Sequence, residues 1–149
     1  MPTQPVNPYV IHEADLFIGA LGADDVVPGT DVDYAAAFDT IQVVPATSTT
    51  TWTGLKRNTF TDVSPATWTL TGNGAQDWDD EASLSRFLHE HDGETRPYLF
   101  RPKSGGTGFK GHLVLSAGAI GGAGNAVAPF AITFGLTGKP VIVPAPVAP

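Results

Sequence analysis

The chain has no cysteine. Disulfide frameworks and thiolate metal sites are therefore excluded, and the redox compartment is left open. Charge is also scarce. Asp, Glu, Lys and Arg make up 15% of the 149 residues, against about 25% in ordinary globular domains. The surface must then be covered by Thr, Ser, Gly and Ala, which suits a β-rich protein or one largely buried against other copies. No apolar run approaches the ~18 residues of a membrane span. The opening MPTQPVNPYV has neither a basic segment nor an apolar one of the kind a secretory signal needs, so synthesis in the cytoplasm is expected.

Basic residues are missing from whole regions. Residues 1–40 contain seven acids and no Lys or Arg, whereas residues 95–149 contain five basic residues and no acid. The stretch 77–94 adds seven acids against Arg86 alone, and the net charge is −7. An acidic chain of this kind does not grip nucleic acid. Two readings of the asymmetry stand. The charges pair within one fold, or an acidic surface on one copy meets a basic one on the next, with Arg96, Arg101, Lys103 and Lys110 as its partners. At 42% apolar residues the chain has enough to build one core, so a single domain over 1–149 is expected.

What is present is mostly strand. Residues 14–19, 38–46, 47–57, 58–64, 66–72, 97–101 and 109–117 read as strands. The clearest is 129–138, where Phe130, Ile132, Phe134 and Leu136 share one face and Ala131, Thr133, Gly135 and Thr137 the other. Strands facing water normally carry Lys and Glu. Thr, Ala and Gly also suit a face that lines a channel or meets another subunit. Residues 20–37 form a loop too long for an idle connection, with Asp24, Asp25, Pro28, Asp31 and Asp33 along it. Residues 1–9 and the proline-rich 139–149 read as extended arms, the latter unable to sit inside a sheet.

One helix is expected, at about 79–91. Asp77, Asp79 and Asp80 would cap it and favour its dipole. Leu84, Phe87 and Leu88 would dock it on a sheet, since they fall at i, i+3 and i+4. Gly93 would follow its end. His89 and His91 lie i and i+2 on that helix, about 200° apart, and cannot share a metal ion. The string GTGFKG at 106–111 matches a dinucleotide fingerprint in letters, but a strand rather than a helix follows it. No nucleophile elbow, phosphate loop or Cys/His pair is present. The expectation is a protein that is not an enzyme and uses neither metal nor other cofactor.

The order of these segments carries a resemblance. TWTGL (51–55), ATWTL (66–70), QDWDDEASLSRFLHEHDG (76–93), a strand ending at Pro102, a G-x-x-x-x-L-V-L strand, a GAIGG loop and a closing FAITFGLTGKP together resemble the tail tube protein, or major tail protein, of long-tailed bacteriophages. The likeness covers roughly residues 10–140. It implies a β-sandwich or barrel with one flanking helix, whose strands join a continuous β-barrel when copies assemble into rings, hexameric in that family. Stacked rings form a conduit in the virion, assembled in the host cytoplasm, through which double-stranded DNA passes without specific binding. It further implies contacts with a tape measure and a tail terminator, and none with a membrane. Inter-ring contacts are expected from the 20–37 loop and the two arms. An alternative is a β-sandwich binding module, for carbohydrate or for decorating a capsid, with Trp52, Trp68 or Trp78 exposed to stack on a ligand.

Overall fold

The computed structural model describes residues 2–6, 8, 10–28 and 31–145. Ten strands, one α-helix and one 3-10 turn make up these residues: β1 (Asp15–Ile18), β2 (Val32–Asp33), the turn Ala35–Ala37, β3 (Phe38–Ala46), β4 (Thr49–Thr53), β5 (Thr59–Val63), β6 (Thr67–Ala75), α1 (Leu84–Glu90), β7 (Thr95–Arg101), β8 (Gly108–Val114), β9 (Pro129–Leu136) and β10 (Val141–Val143). The fold is mainly β, a sandwich with one helix. A single antiparallel sheet runs β2-β1-β7-β8-β9-β6-β3, and β10 pairs with β8 beside β9. The sheet folds over on itself where β8 hands from β10 to β9. One half is β1, β7 and β8; the other is β9, β6 and β3. The hairpin β4–β5 is a separate two-stranded sheet.

The core fills the fold between the halves. From one side come Leu16, Tyr98, Phe100 and Leu113, and from the other Leu70, Phe130, Ile132 and Phe134. Period-2 alternation is the cause: in β9 the buried residues are Phe130, Ile132 and Phe134, Leu136 is half-buried, and the residues between are exposed. Register adds a second device. Phe38 and Phe130 flank Gly74 across the ladder, and Gly72 lies against the Phe38 ring. The missing side chains let the two rings meet edge to face at 5.4 Å.

Helix α1 starts later than the sequence reading places it. Its N-cap is Ser83, whose hydroxyl accepts from Arg86 N–H, so Asp77, Asp79 and Asp80 do not cap it. The acids instead fold the chain ahead of it. The Asp77 carboxylate accepts from the N–H groups of Asp79 and Asp80, and that of Asp80 from Ala82 N–H. Short acidic side chains offer the backbone these local bonds in place of a helical turn, which is why the helix cannot begin at 79. Leu84 and Leu88 are buried, and Phe87 stacks on Tyr34 at 5.0 Å. Gly93 takes a left-handed turn, φ 86°, after the helix.

Two further readings need correction. The tail does enter the sheet, since Val141–Val143 pairs with Gly108–Lys110. Pro140 and Pro144 lie just outside, leaving three residues with free N–H groups, enough for an edge pairing. The 20–37 segment is not one loop: it contains β2 and the 3-10 turn. Of the expected arms, residues 1, 7, 9 and 146–149 lie outside the described residues.

Tyr98 gives the core a measurable alkaline limit. It is almost fully buried, and its hydroxyl finds no hydrogen-bond partner among the described residues. Burial pushes its pKa up to about 12. The unfolded phenol ionises near 10. The contribution is therefore whole below pH 10 and is lost as pH rises from about 10 to about 12, because only the unfolded state then releases the proton. Tyr98→Phe removes both the buried hydroxyl and this dependence. Urea titrations at pH 8 and pH 11 are expected to show a smaller loss for the variant than for the wild type, by about 1 kcal/mol; equal losses contradict it.

Candidate assembly surface

The residues singled out from the sequence do not converge on a chemical centre. His89 lies edge to face with Trp78, 6.0 Å away, while His91 Nδ1 contacts Glu94 at 2.5 Å. Among the described residues no group of His, Cys, Asp and Glu is placed to hold a metal ion. The glycines at 106–111 lead into and lie within β8, a strand.

Three of the four basic candidates pair inside the chain. Arg96 meets Glu94 at 3.4 Å and stacks over Phe87; Arg101 lies 4.0 Å from Asp15; Lys110 lies 3.3 Å from Asp25. Register explains the second pair, since Asp15 and Arg101 face each other across β1 and β7. Arg96, Arg101 and Lys110 thus each have an acidic partner in their own chain, as the first of the two readings of the charge asymmetry expects. Lys103 forms no ion pair among the described residues.

The acidic segment after β1 is likewise tied to its own domain. Gly19 N–H donates to Pro97 C=O, Arg96 donates to Gly19 C=O, and His112 Nε2 lies 3.3 Å from Ala23 C=O. Asp33 accepts from Leu16 and Ala35 N–H, and Asp31 from Val27 N–H. Gly19 lies against Pro97, and Val26 and Pro28 border Leu99, on the side of β7 away from the core, where Pro97 and Leu99 are nonetheless buried. The segment is tied down by these bonds yet buries little of itself, since Leu21, Val27 and Val32 are exposed. Asp24 and Pro28 remain exposed.

What stands free is the β4–β5 hairpin. All ten of its strand residues are exposed. Trp52 faces Phe60 directly across the ladder, and the two are 58% and 63% exposed. Leu55, at the tip, is fully exposed. The hairpin continues the β3–β6 pair through a serine clasp, Ser48 and Ser64, whose hydroxyls lie 2.8 Å apart. Its turn closes with Gly54 N–H to Asn58 C=O and Arg57 N–H to Gly54 C=O. Arg57 adopts φ 63°, a left-handed position where glycine is the favoured residue. A two-stranded hairpin exposing two aromatics is marginal alone in water. The strands at 47–57 and 58–64 were visible in the sequence; nothing there said that this pair leaves the main sheet. Of the other tryptophans, Trp68 and Trp78 are half-buried.

A second free surface is the outer face of β3, β6 and β9. Register aligns three rows across it: Val44, Thr69 and Gly135; Gln42, Thr71 and Thr133; Thr40, Asn73 and Ala131. None of the nine is charged. Beyond the free edge of β3 the seam between the sandwich halves opens into a groove of about 540 Å³, lined by Ile41, Val43, Trp68, Phe100, Phe109 and Ile142. It runs through Ile11, Ile41 and Gln42 into a hollow of about 630 Å³ bearing Glu13, Asp33 and Asp39.

No protein-family model matches the chain, and no curated protein matches it in sequence.

Proposed function

We propose that the chain is a structural subunit that assembles with copies of itself into stacked rings, as the tail tube protein of a long-tailed bacteriophage. The observation that carries this reading is the free β4–β5 hairpin, whose apolar residues have no cover among the described residues. The free edge of β3 adds a row of unpaired backbone groups that closure between subunits would satisfy. The uncharged Thr, Asn and Gln face suits the wall of a lumen, and the net charge of −7 disfavours adhesion of DNA passing along it. Hexameric rings, with tape measure and terminator as end partners, follow from the sequence resemblance.

Exposed Trp52 favours a second reading, a binding module that stacks this indole on a sugar ring or a capsid surface. Electron microscopy of concentrated protein separates the two. Rings or tubes are the expected result. Dispersed monomers at every salt concentration, with tryptophan fluorescence quenched by soluble oligosaccharide, would instead make the chain a binding module.

A further inference from the structure

The hairpin and the groove match each other. The hairpin has an apolar shaft, Trp52 and Phe60, and a basic tip, Lys56 and Arg57. The groove has a mostly apolar half beside Val43, with Lys139 the one charged residue in its lining, and an acidic half beside Asp39. Neither Glu13 nor Asp39 forms an ion pair among the described residues, so both carboxylates are available to a cation from outside. The hairpin does not fill its own groove: Trp52, Leu55 and Phe60 do not line it. Arg57 sharpens the match, since it holds a long cationic side chain at a left-handed position where glycine is easier, and such backbone strain gathers at functional sites.

We infer that the β4–β5 hairpin of one copy docks in the groove of a second copy, Trp52 and Phe60 entering the apolar half and Lys56 and Arg57 meeting Glu13 and Asp39. The contact joins two different patches, so it is head-to-tail and propagates into a closed ring or an open filament. Trp and Arg are the side chains that most often carry an interface. The inference rests on the self-assembly reading and specifies its contact.

Charge exchange tests it. Lys56→Glu with Arg57→Glu changes exposed turn residues and leaves the domain folded, which circular dichroism checks. It is expected to raise the concentration needed for assembly, followed by sedimentation velocity, by about tenfold or more through like-charge repulsion. Glu13→Lys with Asp39→Lys is expected to do the same, and all four changes in one chain are expected to restore assembly. A cross-link supplies the second measurement, clean because the chain has no cysteine of its own. Thr50→Cys and Gln42→Cys, each made alone, leave the apolar anchors in place. Mixed and oxidised, the two variants are expected to form a mixed disulfide that neither forms with itself. An unchanged assembly threshold for the Lys56/Arg57 variant, or assembled material without the mixed disulfide, overturns the inference while self-assembly stands. A wild-type chain that stays monomeric throughout overturns both.

Discussion

Gly74→Ala is expected to cost about 3 kcal/mol of stability, near the upper end for overpacking, or to prevent folding outright. A Cβ at Gly74 would fall inside the contact distance of the Ala37 carbonyl oxygen and 2.7 Å from the tip of the Phe130 ring. The carbonyl cannot turn aside as a flexible side chain would, because it belongs to the backbone of the 3-10 turn that leads into β3. Relief requires moving that turn, and with it the stacking of Tyr34 on Phe87 just upstream. Gly135→Ala is the control: it lies on the uncharged outer face, nothing lies within 4 Å of its added Cβ, and its cost is expected to stay within about 1 kcal/mol. Chemical denaturation of the two variants measures the contrast. Equal midpoints would mean that the turn is not packed against β6 in the way described.

Replacing residues 49–63 by a two-residue turn has the largest expected effect on assembly. The hairpin carries no residue of the buried cluster, and its two strands pack only on each other to any extent. Removing it leaves β3 and β6 joined by the eight-residue ladder that already pairs them, from Phe38↔Gly74 to Ala46↔Thr67. The shortened chain is expected to fold with an unfolding midpoint close to that of the wild type. Under the proposed function it remains monomeric at concentrations where the wild type forms rings or tubes. Sedimentation velocity and microscopy on the same samples check both halves of the expectation. Rings formed by the shortened chain would remove the hairpin from any part in assembly. A shortened chain that unfolds would show that the hairpin supports its own domain.

The parts of this fold that could be read from the sequence are those set by local pattern. The strand at 129–138 was legible because four apolar residues alternate with small ones, and Leu84, Phe87 and Leu88 because their spacing fits one helical face. Where two local rules compete, the reading failed. Asp77, Asp79 and Asp80 suit a helix start as well as a chain of side-chain-to-backbone turns, and only packing decided for the turns, leaving Ser83 as the cap. The C-terminal strand was missed because the prolines around Val141–Val143 obscured a three-residue pairing that depends on where the edge of β8 lies. The separation of the Thr-rich hairpin and the groove beside β3 had no local signal at all. The groove takes residues from β3, β6, β7, β8 and β10, which the sequence scatters over about a hundred positions.

The strand order has a consequence for timing. Strand β1 waits for β7, its neighbour in space but more than seventy positions later, whereas β4 and β5 find each other across a five-residue turn. Local pairs close quickly and distant ones slowly. A chain leaving the ribosome therefore has both hairpin strands available early, while Phe109 and Ile142, which help to line the groove, are among the last parts to emerge. During synthesis each molecule holds the plug without the socket. Under the inferred docking, neighbouring nascent chains on one message have nothing to engage, and the order of residues itself would postpone association until each subunit is whole.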